Sequence, residues 1–136
     1  MADSLTPERR SANMSRIRSV NSKPEMVVRQ MAHAMGFRFR LHRRDLPGKP
    51  DVVFPSRRKA IFVHGCFWHQ HPDCREGRVP GSNQGYWVPK LGRNVERDRS
   101  EQAALASAGW ELMVVWECET IDRKSLAARL QDFLSG

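Results

Sequence analysis

No apolar run among the 136 residues approaches the roughly 20 needed to cross a bilayer. The first residues also lack the apolar core of a secretory leader, so a soluble, cytoplasmic protein is the expectation. Cysteine is scarce and odd in number. Three thiols cannot all pair within one chain, and an intracellular chain keeps them reduced, which leaves metal binding or plain burial as their uses. Acidic residues are few against basic ones, 15 against 23, for a net charge of +8. That balance suits a polyanion or an anionic membrane surface, and without a spanning segment the polyanion is favoured. The length holds a single domain around one core, with no internal repeat and no low-complexity segment.

Residues 1–20 carry Arg9, Arg10, Arg16 and Arg18 with few apolar partners, and read as a basic arm preceding a domain over 21–136. A frayed, solvated terminus is the plainer alternative. From Ser22 the order Ser-Lys-Pro-Glu predicts a helix start, with Val27, Met31, Ala34 and Met35 on one face and Gly36 as the stop. Phe37, Phe39 and Leu41 alternate with Arg38 and Arg40, the period of a strand with one wet face. Val52 to Phe54 and Lys59 to Val63 read as a hairpin turning around Pro55 and Ser56. The stretch from His64 to about Lys90 has no clean period and needs another constraint to order it. Helices over Asn94–Ala108 and Ser125–Leu134 flank a strand over Trp110–Trp116. The expected order is helix, three strands, helix, strand, helix.

Cys66, His71 and Cys74 lie close together, and Cys118 follows the last expected strand. Three thiolates and one imidazole make a closed tetrahedral zinc site, structural because no position is left open, and metal binding would order the irregular segment 64–90. His64 and His69 are possible substitute ligands. The plainer alternative is three buried thiols beside a surface histidine.

Asp51, after Pro50 at a strand start, can project a hard oxygen ligand suited to magnesium. The hairpin would bring Val63 and His64 beside it. Metal-assisted phosphodiester hydrolysis needs a cation, a base to deprotonate water and a group to steady the leaving oxygen, and Asp51, His64, His69 and Glu25 could fill those roles. Each has a blander use: Asp51 in a turn, Glu25 in a capping box with Ser22, the histidines as satisfied polar groups near the zinc. Two histidines converging on a carboxylate, in a chain whose charge points to phosphate, favour the catalytic use.

Six segments then carry a resemblance across nearly the whole chain. They are Arg10-Ser11-Ala12-Asn13-Met14, Pro24-Glu25, Leu46-Pro47-Gly48-Lys49-Pro50-Asp51, Phe62-Val63-His64-Gly65-Cys66-Phe67-Trp68-His69, Asn94-Val95-Glu96-Arg97-Asp98 and Trp116-Glu117-Cys118. Together they resemble the very-short-patch repair endonucleases, bacterial enzymes that nick beside thymine in thymine-guanine mismatches. The resemblance implies an α/β fold like that of the restriction endonucleases of the PD-(D/E)xK type, a central mixed sheet flanked by helices. Where those nucleases usually carry a second acid and a lysine, this chain has Val63, His64 and Gly65.

By the same resemblance Asp51 and the main-chain carbonyl of Val63 hold magnesium, His69 is the general base, and His64 and Glu25 assist. Zinc falls to Cys66, His71, Cys74 and Cys118. Phe67, Trp68 and Trp87 form an aromatic wedge entering mismatched double-stranded DNA from the major groove, and the arm with Arg10, Met14 and Ile17 approaches from the minor groove. Lys90 and Asn94 contact the wobble pair, for which both are suitable donors. Without the resemblance those three aromatics read as ordinary core. It further implies a monomer in the bacterial cytoplasm, associated with the nucleoid, with a mismatch-repair matchmaker protein as a possible partner. Two alternatives stay open: a related nicking enzyme of different site specificity, and a non-catalytic zinc-stabilised DNA-binding module.

Overall fold

Ser22 and Pro24 start the first helix as their order implies. The Ser22 hydroxyl oxygen accepts the Glu25 N–H at 3.4 Å, and helix α1 (Lys23–Ala34) has its proline in the first turn, where no N–H is needed. Gly36, at φ +88°, supplies the left-handed residue that turns the chain away. The computed structural model describes residues 22–72, 74 and 81–136. Arg10, Met14 and Ile17 of the expected basic arm lie outside the described residues.

Strands β1 (Arg40–Leu41), β2 (Val52–Phe54), β3 (Lys59–His64) and β4 (Glu111–Trp116) form one sheet in that spatial order. β1 and β3 each pair antiparallel with β2, while β3 and β4 run parallel, so the sheet is mixed. The expected hairpin is β2 and β3, with Pro55–Arg57 in a single 3-10 turn. The strand expected over 37–41 is shorter. Its neighbour β2 is only three residues long, so the ladder ends at Arg40; Phe37 and Phe39 still pack on the core, but Leu41 is 39% exposed instead of inward.

Helix α2 (Gln84–Ser107) begins well before the Asn94 expected from the sequence, and so takes in the last residues of the segment read as irregular. Pro89 lies inside it and removes one backbone hydrogen bond. Burial of Trp87 and Leu91 on the same helix offsets that loss. Helix α3 (Arg123–Ser135) is capped by Asp122, whose carboxylate accepts the Ser125 N–H, and buries Leu126, Leu130 and Leu134 at intervals of four.

Alternation along the strands divides the core between two faces. Val52, Phe54, Ile61, Met113 and Val115 meet α1 and α3 on one face. Val53, Ala60 and Phe62 meet Leu105 of α2 on the other, with Leu112 and Val114 beside them. The result is a three-layer α/β/α arrangement in which β3 is buried from both sides. No helix among the described residues is long and apolar enough to cross a membrane.

Two features of this frame position the chemistry. Because β3 and β4 are parallel and in register at His64 and Trp116, both strands release their following loops at the same sheet edge. The loop entering β2 is held against that sheet at Gly48, whose φ of +78° and approach to the Phe62 ring leave no room for a side chain: a Cβ there would lie 2.9 Å from the ring.

Candidate active site and metal centre

Asp51 is fixed by three backbone hydrogen bonds. Its N–H donates to the Ile61 carbonyl at 3.1 Å, its carbonyl accepts the His42 N–H at 3.1 Å, and its carboxylate Oδ2 accepts the Val63 N–H at 2.7 Å. In an extended strand the N–H and C=O of one residue point to the same side, so the Val63 carbonyl faces the same edge as the Asp51 carboxylate. Burial pushes the Asp51 carboxyl up to about 6; the Val63 N–H works against that rise, and negative Glu25 adds to it.

Glu25, 2% exposed, does not turn its carboxylate back to cap α1. It accepts from Arg29 and, at 2.7 Å, from His42 Nε2. Glu25, His42 and Asp51 thereby bring ligand atoms within 4.8 Å of one another. His42 was not singled out in the sequence. Its one signal is conformational, a non-glycine residue at φ +49° directly after β1, and that is visible only in the fold.

On the α2 side of the same edge, the rings of His64 and His69 stack in parallel with centroids 3.8 Å apart. His69 Nδ1 lies 2.5 Å from Asp98 Oδ2. An ionised carboxylate only accepts, so the proton sits on Nδ1 and the Nε2 lone pair is left to act as a base. Asp98 is the second residue to which sequence reasoning gave no role. Leu91 and Leu105 mark the buried stripe of α2, and Asp98 stands between them where another apolar residue would be expected, which was a legible signal. Asp51, His64, His69 and Asp98 line one cavity of about 370 Å³, with Lys49 and Arg97 at its wall. The structure thus brings three of the four expected catalytic residues together, with Glu25 reaching the group from behind through His42 and Asp51.

The cysteines converge a few residues further along. Cys66 and Cys118 each stand two residues beyond the paired His64 and Trp116, so the parallel register delivers them to one place. His71 Nδ1 lies 3.7 Å from Cys66 Sγ and 3.4 Å from Cys118 Sγ, and with Cys74 the four ligand atoms lie within 4.8 Å of one another. A tetrahedral zinc site asks for sulfur-to-nitrogen distances of roughly 3.6 Å, which these match. The His71 ring is held by stacking on Trp116 at 4.3 Å. Burial pushes the Cys66 thiol up to about 12 and raises that of Cys118. Neutral thiols crowded in this way are the arrangement that a cation would deprotonate and join.

The family model for the DNA mismatch endonuclease Vsr matches residues 2–76. A type II nicking enzyme of Xanthomonas oryzae, V.XorIIP, is 54% identical over 134 residues, covering 98% of both chains. The DNA mismatch endonuclease Vsr of Escherichia coli is 37% identical, covering 100% of this chain and 90% of its own. The chain belongs to the Vsr family of DNA endonucleases. A type II nicking enzyme of Neisseria meningitidis, V.NmeAIP, is 38% identical over 130 residues, covering 96% of this chain and 92% of its own.

In this Vsr endonuclease the expected wedge residues pack on one another. Trp68 and Trp87 are 5% and 3% exposed, Phe67 is half-buried with its ring 5.1 Å and 5.3 Å from theirs, and Tyr86 and Leu91 complete the cluster. Lys90 lies over the Trp68 and Tyr86 rings, and Asn94 Nδ2 donates to the Trp68 carbonyl at 3.1 Å. Both residues expected to read the base pair therefore stand on α2 beside this cluster.

The raised Asp51 carboxyl fixes a pH dependence. Its folded value of about 6 lies above the ordinary 3.8, so the contribution to stability is full below about 4 and is lost as pH rises through about 6. Asp51→Asn removes the charge and keeps an acceptor for the Val63 N–H. Without divalent cations it is expected to stabilise the protein by on the order of 2–3 kcal/mol at pH 7 and by little at pH 4, measured by urea unfolding. A gain of equal size at both pH values would contradict the assignment.

Proposed function

We propose that this endonuclease nicks duplex DNA 5′ of the thymine in thymine-guanine mismatches by magnesium-dependent hydrolysis, initiating very-short-patch repair from a restriction-endonuclease-like core. The observation that carries the reading is the His69–Asp98 pair facing the Asp51 carboxylate across one cavity. A DNA-binding module would have no use for a base so oriented. In the hydrolysis, His69 Nε2 takes a proton from water as the water oxygen bonds to phosphorus. The bond from phosphorus to the 3′ oxygen breaks and that oxygen takes up a proton, leaving 3′-hydroxyl and 5′-phosphate ends. Asp98 holds the His69 ring and steadies its positive charge. His64, stacked on His69, fixes the ring plane and is the candidate donor of that proton to the leaving oxygen.

Asp51 and the Val63 carbonyl offer the hard oxygens that magnesium prefers, and His42, its ring on Glu25, donates its backbone N–H to the Asp51 carbonyl. Magnesium bound there would neutralise the charge growing on the phosphoryl oxygens. The Cys66, His71, Cys74 and Cys118 set suits a structural zinc that ties the segment 65–72, and with it His69, to the end of β4.

Mismatch preference follows from the aromatic cluster. Inserting Phe67 and Trp68 between base steps costs a few kcal/mol of unstacking, roughly, and the cost is least where pairing is already defective. Trp87 backs the wedge, Lys90 and Asn94 meet the wobble pair, and the arm with Arg10, Met14 and Ile17 adds contacts from the minor groove. One active site makes one nick, so a monomer suffices. A matchmaker protein would act upstream of the nick.

Two tests separate the parts of this reading. A labelled duplex with one thymine-guanine mismatch is expected to be cut 5′ of the thymine with magnesium, to be spared with EDTA or Asp51→Ala, and to be cut far more than its paired control. Equal cutting of the control would leave a nicking enzyme of other specificity, and binding without cutting would leave a DNA-binding module. Cys118→Ser is expected to purify with less than one zinc per chain by elemental analysis and to unfold at lower temperature, whereas full zinc content would refute the ligand set.

A further inference from the structure

The catalytic edge lacks a strand-borne cation. β3 leaves the cavity as Val63, His64 and Gly65, and its one lysine, Lys59, is buried at the opposite end, donating to the carbonyls of Phe133 and Gly136 that close α3. Phosphoryl transfer still asks for positive charge on the non-bridging oxygens. Among the described residues lining the cavity, the cations are Lys49 and Arg97. Lys49 is exposed on the loop entering β2. Arg97 stands on α2 next to Asp98, on an element that fixes its root, and a guanidinium presents the planar fork that phosphate oxygens accept.

Arg97 is also tied to the aromatic cluster. Asn94, Arg97, Asp98 and Glu101 follow one another along α2 at helical spacing, so they share a face. Arg97 Nη2 donates to Asn94 Oδ1 at 2.9 Å, and the same amide's Nδ2 donates to the Trp68 carbonyl at 3.1 Å. The helix does not need the exposed pair at i and i+3, which contributes tenths of a kcal/mol at most, roughly.

We propose that Arg97 is the cation that closes on the scissile phosphate, and that Asn94 holds it back until Trp68 moves. The inference rests on the nicking activity proposed above. In this proposal the backbone at Trp68 moves with its ring into the base step and carries its carbonyl away from the Asn94 amide. Breaking that bond frees the amide to turn, and Arg97, released from Oδ1, swings toward the phosphate beside His69. A paired duplex that leaves Trp68 in its cluster leaves Arg97 clasped, so the chemistry is slowed as well as the binding.

The test is single-turnover nicking, with enzyme in excess, of mismatched and paired duplexes in magnesium by wild type, Arg97→Ala, Arg97→Lys, Asn94→Ala and the Asn94→Ala/Arg97→Ala double variant. Arg97→Ala is expected to slow the mismatched duplex about 100-fold at saturating enzyme, as removal of one preorganised donor does. Arg97→Lys recovers part of that loss, and both melt like wild type because the side chain is exposed. Asn94→Ala is expected to raise nicking of the paired duplex above wild type, and the double variant to lose that gain. A wild-type rate in Arg97→Ala would overturn the cation. Slower mismatch nicking by Asn94→Ala, with no rise on the paired duplex, would overturn the clasp and leave Asn94 a base contact. Wild type silent on both duplexes would overturn the nicking activity itself, and this inference with it.

Discussion

The hydrogen bond from the Val63 N–H to the Asp51 carboxylate is the contact on which the functional edge depends, because it exists in one register of β2 and β3 only. Val52 opposite Ile61 puts Asp51 at the mouth of the strand, on the side that faces α2. A slip of one residue would send its carboxylate to the α1 and α3 face and bury it among Val28, Phe54 and Leu130. Two apolar layers enforce the register, since β3 carries buried side chains on both faces and neither can be turned outward. The same strand then sets the cysteine cluster through its parallel pairing with β4, which places Cys66 and Cys118 at equal distances beyond His64 and Trp116.

This edge is held against its own electrostatics. Asp51 and Glu25 crowd two carboxylates into a partly dry pocket, and the Cys66 and Cys118 thiols are driven toward their neutral forms. Packing elsewhere offsets that cost, through the leucines of α3 against the sheet and the aromatic cluster against α2. Arg29 and His42 supply compensating positive or donating groups from the protein itself. Local strain at a functional site and regular packing in the frame are complementary here.

Much of the frame was legible. The hairpin of β2 and β3, the strand after Gly109 and the helix with Leu126, Leu130 and Leu134 follow from local period and turn chemistry. The convergence of the cysteines with His71 was legible from donor types and spacing. The start of α2 was not, because Pro89 with Gly85 and Gly92 reads as a breaker, and only burial of Trp87 and Leu91 in three dimensions overrides it. Glu25 could be read as a cap or as a site residue. Its N–H does go to Ser22, but its carboxylate goes to His42 and Arg29 and not back to the cap, so the capping box is only half formed. His42 and Asp98 pair with residues far away in sequence, Glu25 and His69; the place of Asp98 on the buried stripe of α2 was legible, but its partner was not, and His42 carried no sign at all.

Asp51 and His69 are expected to work as one unit across the sheet edge, and the direct measurement is a double-mutant cycle on single-turnover nicking with Asp51→Ala, His69→Ala and both together. Groups that act as a unit are strongly non-additive, so the double variant should be about as slow as the slower single one. Losses that multiply would mean that the two side chains contribute independently, and would contradict a single catalytic centre built on the register of β2 and β3.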